Sequence, residues 1–284
     1  MSLQSVRSKL PDPVRALLEN RLQSDLELPF LPDTASQVLS LCNDERCDAQ
    51  KLSELIQRDQ SLAGHVLRVA NSAAYAPTEP IVSLHQAVSR LGIDVICDIS
   101  VAVSLRGRVF EVPGPQTRIR KMWMHSAAAG VYAKEVARLL RQNVEGAFLC
   151  GLLHDVGKPI VLQELVDLSR QRTSKPVPVG ISEAAMDEFH GRVGALMLER
   201  WKLAPWMAEA VKYHHETGAA PQFAEEARIT RLADLLAHWA LAECTQEELQ
   251  AEAQLLSDLN LYSEDLSKLF EMRERVLGIA EAFL

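Results

Sequence analysis

The chain has no excess of basic residues, no paired cysteine motif and no long apolar run, and each lack removes a class of function. Its 284 residues carry 30 Lys and Arg against 38 Asp and Glu, a net charge of −8. Binding to a phosphate backbone needs clustered cations, so nucleic acid is disfavoured as the main partner. The five cysteines, Cys42, Cys47, Cys97, Cys150 and Cys244, form an odd set without a CxxC pair. Most stand among apolar neighbours, where a free thiol acts as a small hydrophobe, and the set fits a reducing compartment better than a disulfide framework. The N-terminus lacks the apolar core of a signal peptide. The most apolar stretch, Val95 to Leu105, is interrupted by Asp98 and is too short to cross a bilayer. The expectation is a cytoplasmic protein with no membrane partner.

Period-two alternation is nearly absent too, and no repeat or low-complexity tract is visible. Helix signals recur instead. Asp12-Pro13 and Pro32-Asp33 open helices, and Asp48, Asp59 and Ser83 stand where N-caps belong. Leu62, His65, Val66, Val69 and Ala70 form a buried helical stripe, Gly92 closes a short helix and Asp94 starts the next. With 48% hydrophobic residues there is ample material for cores. The fold class is all-α, helix packed on helix.

The clearest break is Glu111-Val-Pro-Gly-Pro-Gln-Thr117, which cannot continue a helix. It divides the chain into an N-terminal helical bundle, 1–112, and a second helical domain, 113–284. Beyond it the pattern predicts a helix over about Arg118 to Gln142, one ending near Gly157, and a polar loop from Arg172 to Gly180. Further helices begin near Ser182 and Pro205, another spans about Phe223 to Glu243, and Ser263 caps a last one.

Five of the eight histidines lie between His125 and His215. In Leu152-Leu-His-Asp-Val-Gly-Lys158 an apolar helix delivers His154 and Asp155 at its end, and imidazole and carboxylate both suit first-row divalent metals. Lys158 puts positive charge where a phosphate would arrive. His214 and His215 point about 100° apart on a helix, so they serve two ions, or one binds while the other supports it. His125, His190 and Asp234 sit in amphipathic helices. A carboxylate as deep among apolar residues as Asp234 is costly unless paired or bound to metal. His65, His85 and His238 read as ordinary structural or surface histidines.

The order His125, His154-Asp155, His190, His214-His215, Asp234 resembles the HD superfamily of metal-dependent phosphohydrolases. It is similar to the HD-GYP subset that hydrolyses cyclic di-GMP, but the chain reads His214-His-Glu-Thr-Gly-Ala-Ala-Pro221 where a Gly-Tyr-Pro signature belongs, which argues against that activity. The N-terminal half matches more closely. Asp59 to Tyr75 with its Asn71-Ser72 pair, Ser83 to Gly92, Trp123-Met-His-Ser126, Gly151 to Asp155 and Gly194 to Trp201 resemble, in order, the blocks of the HDOD family. The resemblance runs from about Leu28 to about Trp239. It implies a bacterial signalling output module, an N-terminal bundle packed on an HD-type domain, acting through contacts with a signalling protein partner. It also implies a site for one or two divalent transition metals (Fe, Mn, Zn or Ni) on His125, His154, Asp155, His190, His214, His215 and Asp234. The alternative is a phosphohydrolase acting on nucleotides or cyclic (di)nucleotides, with Asp155 as bridging ligand and Lys158 as charge stabiliser. A third reading is a pocket that senses a nucleotide without turnover. Asn71 and Ser72 read as helix-closing residues rather than ligand contacts.

Overall fold

A computed structural model describes residues 10–24, 26, 28–42, 44, 46–109, 116–172 and 176–284, and among them all regular structure is helical. The chain runs α1 (Asp12–Ser24), α2 (Asp33–Cys42), α3 (Ala49–Gln57), α4 (Gln60–Ala70), α5 (Leu84–Leu91), α6 (Ile93–Val109), α7 (Gln116–Leu140) and α8 (Val144–Leu153). It continues with α9 (Gly157–Arg172), α10 (Val179–Arg200), α11 (Pro205–Tyr213), α12 (Ala224–Ala240), α13 (Gln246–Gln250), α14 (Ala253–Asp258), α15 (Ser263–Glu271) and α16 (Arg273–Ala282). No described helix is long and apolar enough to cross a membrane.

The caps in the N-terminal half follow from the sequence. Asp48 accepts from the Lys51 N–H, Asp59 from Leu62 and Ser83 from Gln86, each satisfying a first-turn donor with no helical partner. Gly92 ends α5 at φ +91°, a conformation that favours glycine. Asn71 closes α4 and does more. Its side chain donates to the carbonyls of Leu67 (2.9 Å) and Ile81 (2.8 Å) and accepts from the Ile81 N–H (2.8 Å), strapping the loop to α5 back onto α4. The Asn71 block is therefore a backbone clasp.

Helices α2 to α6 pack on one another, and α7 is the spine of the C-terminal half, touching α8, α12, α15 and α16. One continuous apolar core joins the two halves. Helix α16 packs on both α7 and α4, and Lys134 on α7 pairs with the part-buried Asp98 on α6. Helix α1 lies against α9 and α10: Arg15 Nε reaches Glu188 at 2.5 Å and Arg21 Nε reaches Glu164 at 3.2 Å. The break at Glu111–Thr117 falls mostly outside the described residues; Gln116 and Thr117 already belong to α7.

Several expectations are corrected. Gly157 does not end a helix; α8 stops at Leu153 with His154 as its cap, and Gly157 begins α9. The reason is steric. A Cβ on Gly157 would stand 2.1 Å from the His190 carbonyl oxygen, so only glycine lets α9 start against the backbone of α10. The helix expected at Ser182 begins at Val179, and the last helix is two, α15 and α16, meeting at Met272, with Tyr262 as the N-cap of α15. The five thiols are not all free: Cys42 on α2 and Cys97 on α6 form a disulfide, their Cα atoms 6.6 Å apart, while Cys47, Cys150 and Cys244 are free. Packing of α2 on α6 brings them together, a contact invisible at a separation of 55 residues.

Candidate metal centre

Close helix packing assembles the centre. Where α7 carries Ala127-Ala-Ala-Gly130, α8 presents Gly151, whose Cβ would fall 2.4 Å from the Ala129 carbonyl oxygen. That intimacy brings the ring tips of His125 of α7 and His154 at the end of α8 together, Nε2 to Nε2 at 3.2 Å. Asp155 follows in the turn, α10 brings His190, the end of α11 brings His214 and His215, and α12 brings Asp234. All seven are adjacent in space.

The seven fall into two clusters that share Asp155. In the first, His125 Nε2 stands 3.0 Å from Asp234 Oδ1, and Asp155 Oδ2 lies 3.4 Å from His154 Nε2 and 3.7 Å from His125 Nε2. In the second, His190 Nε2 is 3.3 Å from His214 Nε2 and 3.5 Å from Asp155 Oδ1, with His215 within ligating distance of both histidines. Each of the groups His125–His154–Asp155 and His190–His214–His215 holds its ligand atoms within 4.8 Å of one another. His214 and His215 both face the second cluster, and His214 is buried whereas His215 is exposed.

The ring orientations fit a cation. His154, His190 and His214 each place Nδ1 against a backbone carbonyl of their own helix (Gly151, Met186 and Val211) at 2.6–2.7 Å. Donation there leaves the Nε2 lone pairs aimed inward, the outer-sphere arrangement that fixes metal-binding histidines. Asp155 Oδ1 is buried and accepts no hydrogen bond among the described residues. A buried pocket with convergent lone pairs and a carboxylate oxygen in want of a partner is a donor set that suits a divalent metal.

The electrostatics agree. Burial alone would raise Asp155, but His154, Lys158 and His190 hold it well below the usual carboxylate range. Burial would likewise raise Asp234, and hydrogen bonds from His125, His154 and His238 hold it down. His125 falls to about 4 and His214 lies well below the usual histidine value, both because burial disfavours the charged ring. His154 is the exception: burial lowers it, but Asp155 and Asp234 outweigh burial and raise it to about 10. Lys158 on Asp155 and Arg231 on Asp234 supply part of the charge these two ionised carboxylates need, and a bound cation would take the place of the proton on His154. Lys158 is not free to meet a ligand here; its Nζ lies 2.5 Å from Asp155 Oδ2.

The structure adds three residues, His238, Glu243 and Arg231, that the sequence pattern does not single out. His238 is corrected from an ordinary histidine to a member of the site: its ring centroid is 4.3 Å from that of His125, Nε2 is 3.3 Å from Asp234 Oδ1, and Nδ1 is 2.8 Å from Glu243 Oε2. Burial would lower it, yet those two carboxylates raise it to about 9. Arg231 Nη1 lies 2.8 Å from Asp234 Oδ2 and 3.1 Å from His215 Nδ1. Arg231 and His238 stand three before and four after Asp234, one face of α12, and that spacing was the available signal. His65 bonds its own helix through the Ser61 carbonyl (2.9 Å) and His85 is exposed, both outside the site.

An all-helical chain of paired helices around a buried His/Asp centre defines an HD-type helical protein. The chain belongs to the HDOD family, whose domain model matches residues 28–217. It is similar in fold to an HDOD domain protein of unknown function from Geobacter sulfurreducens (22% identity, 94% of this chain and 99% of that one, TM-score 0.71). It is also similar to a candidate metal-dependent phosphohydrolase from Shewanella amazonensis SB2B (20% identity, 96% and 98%, TM-score 0.71). A curated uncharacterised protein of Treponema pallidum is 21% identical over 203 residues, and the match takes in 69% of this chain but only 39% of that relative's length.

Proposed function

We propose that this chain is a signalling output module whose HD-type half is locked by one or two divalent transition metals and whose output is a contact with a signalling protein partner. The observation that carries the reading is burial: His154 is 0% exposed, His214 1%, His190 2%, Asp234 2% and Asp155 3%. A catalytic metal needs an open coordination position, whereas a metal enclosed by five helices or their ends pins α7, α8, α10, α11 and α12 as one surface for a partner. Ligation by His125, His154, Asp155 and Asp234 in one cluster, and by His190, His214 and His215 with Asp155 in the other, accounts for every site residue expected from the sequence except Lys158, which neutralises Asp155.

The second reading, a phosphohydrolase for nucleotides or cyclic (di)nucleotides, is favoured by the complete ligand set and by exposed His215 beside Arg231. When bound, a divalent ion supplies Lewis acidity toward a phosphoryl oxygen and lowers the pKa of water. In that reading Arg231 would meet phosphate charge while still bonding Asp234, and Lys158 would keep Asp155 ionised.

The test is metal content per chain, by elemental analysis of protein purified without chelator, with a His154→Ala/Asp155→Ala variant of intact helicity as control, followed by hydrolysis of bis(p-nitrophenyl) phosphate with iron, manganese, zinc or nickel. Metal lost in the variant together with no turnover supports the regulatory reading. Turnover lost in the variant moves the assignment to hydrolysis. No metal even after soaking overturns both metal roles.

A further inference from the structure

Beside the centre lies a second feature that none of the seven candidate ligands lines. Between the start of α7, the end of α9, the start of α10 and the end of α12 is a cavity of about 1030 Å³. That is the size of a ligand pocket. Its walls are aliphatic, with Met124, Leu162, Val166, Val177 and Leu241 among them, and Val179 at its rim is 62% exposed. None of its described lining residues is aromatic.

One residue of the wall, Arg118, has a donor that is unaccounted for. Arg118 spends Nη1 on Ser182 Oγ at 3.1 Å, while Nη2 is buried and has no hydrogen-bond partner among the described residues. A buried guanidinium N–H left unpaired is costly, and such a group calls for a missing acceptor. The other charged groups of the lining are already engaged or exposed: Arg120 faces Glu281 (3.6 Å), Lys121 faces Glu243 (3.6 Å), Arg170 faces Asp167 (3.6 Å), and Glu183 is exposed. With those pairs formed, Arg118 is the cation of the lining that faces no carboxylate among the described residues.

We infer that this cavity binds a single-chain aliphatic molecule with an anionic head, the head on the Arg118 fork and the chain along α9 and α12. The guanidinium fork matches a carboxylate or a phosphate through paired N–H donors. A nucleotide fits less well, because bases stack on aromatic faces and none of the described lining residues offers one, whereas an alkyl chain needs only the aliphatic wall. The site does not rest on metal at the His/Asp centre, although Glu243 lines the cavity and also bonds His238, so an occupant would be felt there.

The experiment is calorimetric titration of the full chain with dodecanoate below its micellar concentration, beside dodecanol, acetate and monododecyl phosphate. Dodecanoate should bind one per chain with the negative heat-capacity change of apolar burial, and acetate should not bind. Arg118→Gln should weaken dodecanoate about tenfold or more, the worth of a hydrogen bond to a charged group, and leave dodecanol unchanged. Val166→Trp, which fills the cavity, should remove both. The ratio of dodecanoate to monododecyl phosphate affinity assigns the head as carboxylate or phosphate, and preference for either supports the site. Unliganded melting temperature and metal content are measured in each variant; should one variant fail to fold, the other decides. No dodecanoate binding to the wild type, acetate binding as tightly as dodecanoate, or a dodecanoate affinity that a folded variant leaves unchanged would overturn the proposal.

Discussion

Gly157→Ala and Gly64→Ala are the same chemical change, and the structure gives them opposite signs. At Gly64, inside α4, an added Cβ meets nothing within 4 Å, so the substitution only removes the backbone-entropy penalty of a helical glycine, stabilising by about 0.5–1 kcal/mol. At Gly157 the added Cβ would sit 2.1 Å from the His190 carbonyl oxygen and 2.9 Å from the Gly194 nitrogen. Ordinary C···O contact is about 3.3 Å, so α9 and α10 must separate by roughly 1 Å, and backbone atoms cannot rotate away as a side chain would. Overpacking costs about 1–3 kcal/mol, and a clash against backbone belongs at the upper end. At roughly 2–4 °C per kcal/mol for a chain of this size, the melting temperature should fall by about 6–12 °C in Gly157→Ala and rise slightly in Gly64→Ala. The same displacement carries Asp155 away from His190, now 3.5 Å apart, so metal retained per chain should drop as well. Thermal unfolding and elemental analysis on the two variants check both. A Gly157→Ala protein that melts with wild type and keeps its metal would refute the view that this glycine sets the spacing of the centre.

The remaining predictions concern other contacts of the fold and the centre. Asn71→Ala breaks three hydrogen bonds and strands the Ile81 N–H, so chemical denaturation should show a loss of about 2 kcal/mol or more; an unchanged midpoint would deny the clasp. His238→Ala removes the ring that bridges Asp234 and Glu243, and a chelator-competition titration should find metal bound about 10–100-fold more weakly. Burial lifts Asp98 from 3.8 to about 6 although Lys134 opposes it. A carboxyl whose native pKa exceeds its unfolded value gains stability as pH falls, here between about 6 and 4 and by up to about 3 kcal/mol. The unfolding free energy of wild type minus that of Asp98→Asn should therefore grow over that window; a flat or falling difference contradicts the burial assigned to Asp98. Reducing Cys42–Cys97 opens a loop of 55 residues, worth up to about 4 kcal/mol in loop-closure entropy; equal stability with and without dithiothreitol would show that the bond contributes nothing.

What was legible in the sequence is what depends on neighbours along the chain. Asp48, Asp59 and Ser83 cap helices because each acceptor lies three residues from the N–H it serves, and a spacing of three is written in the letters. The order of histidines and aspartates was legible as a family pattern, and the seven do converge. What escaped lies across the fold. His238 reads as an ordinary polar residue near the end of an apolar helix until α12 is laid on α7 and its ring meets His125. Gly157 reads as a helix stop, since a glycine after a polar pair commonly ends a helix; the competing demand, room for the backbone of α10, belongs to a residue 33 positions away that no local window contains. Cys42 and Cys97 escaped for the same reason. His238, Gly157 and the Cys42–Cys97 pair were thus misread because their partners come from another helix, and at this centre the same close approaches set the spacing of the His/Asp cluster. Glycine at 151 and 157 is where the α7–α8 and α9–α10 contacts are made, so the geometry of the His/Asp cluster is governed by residues outside it.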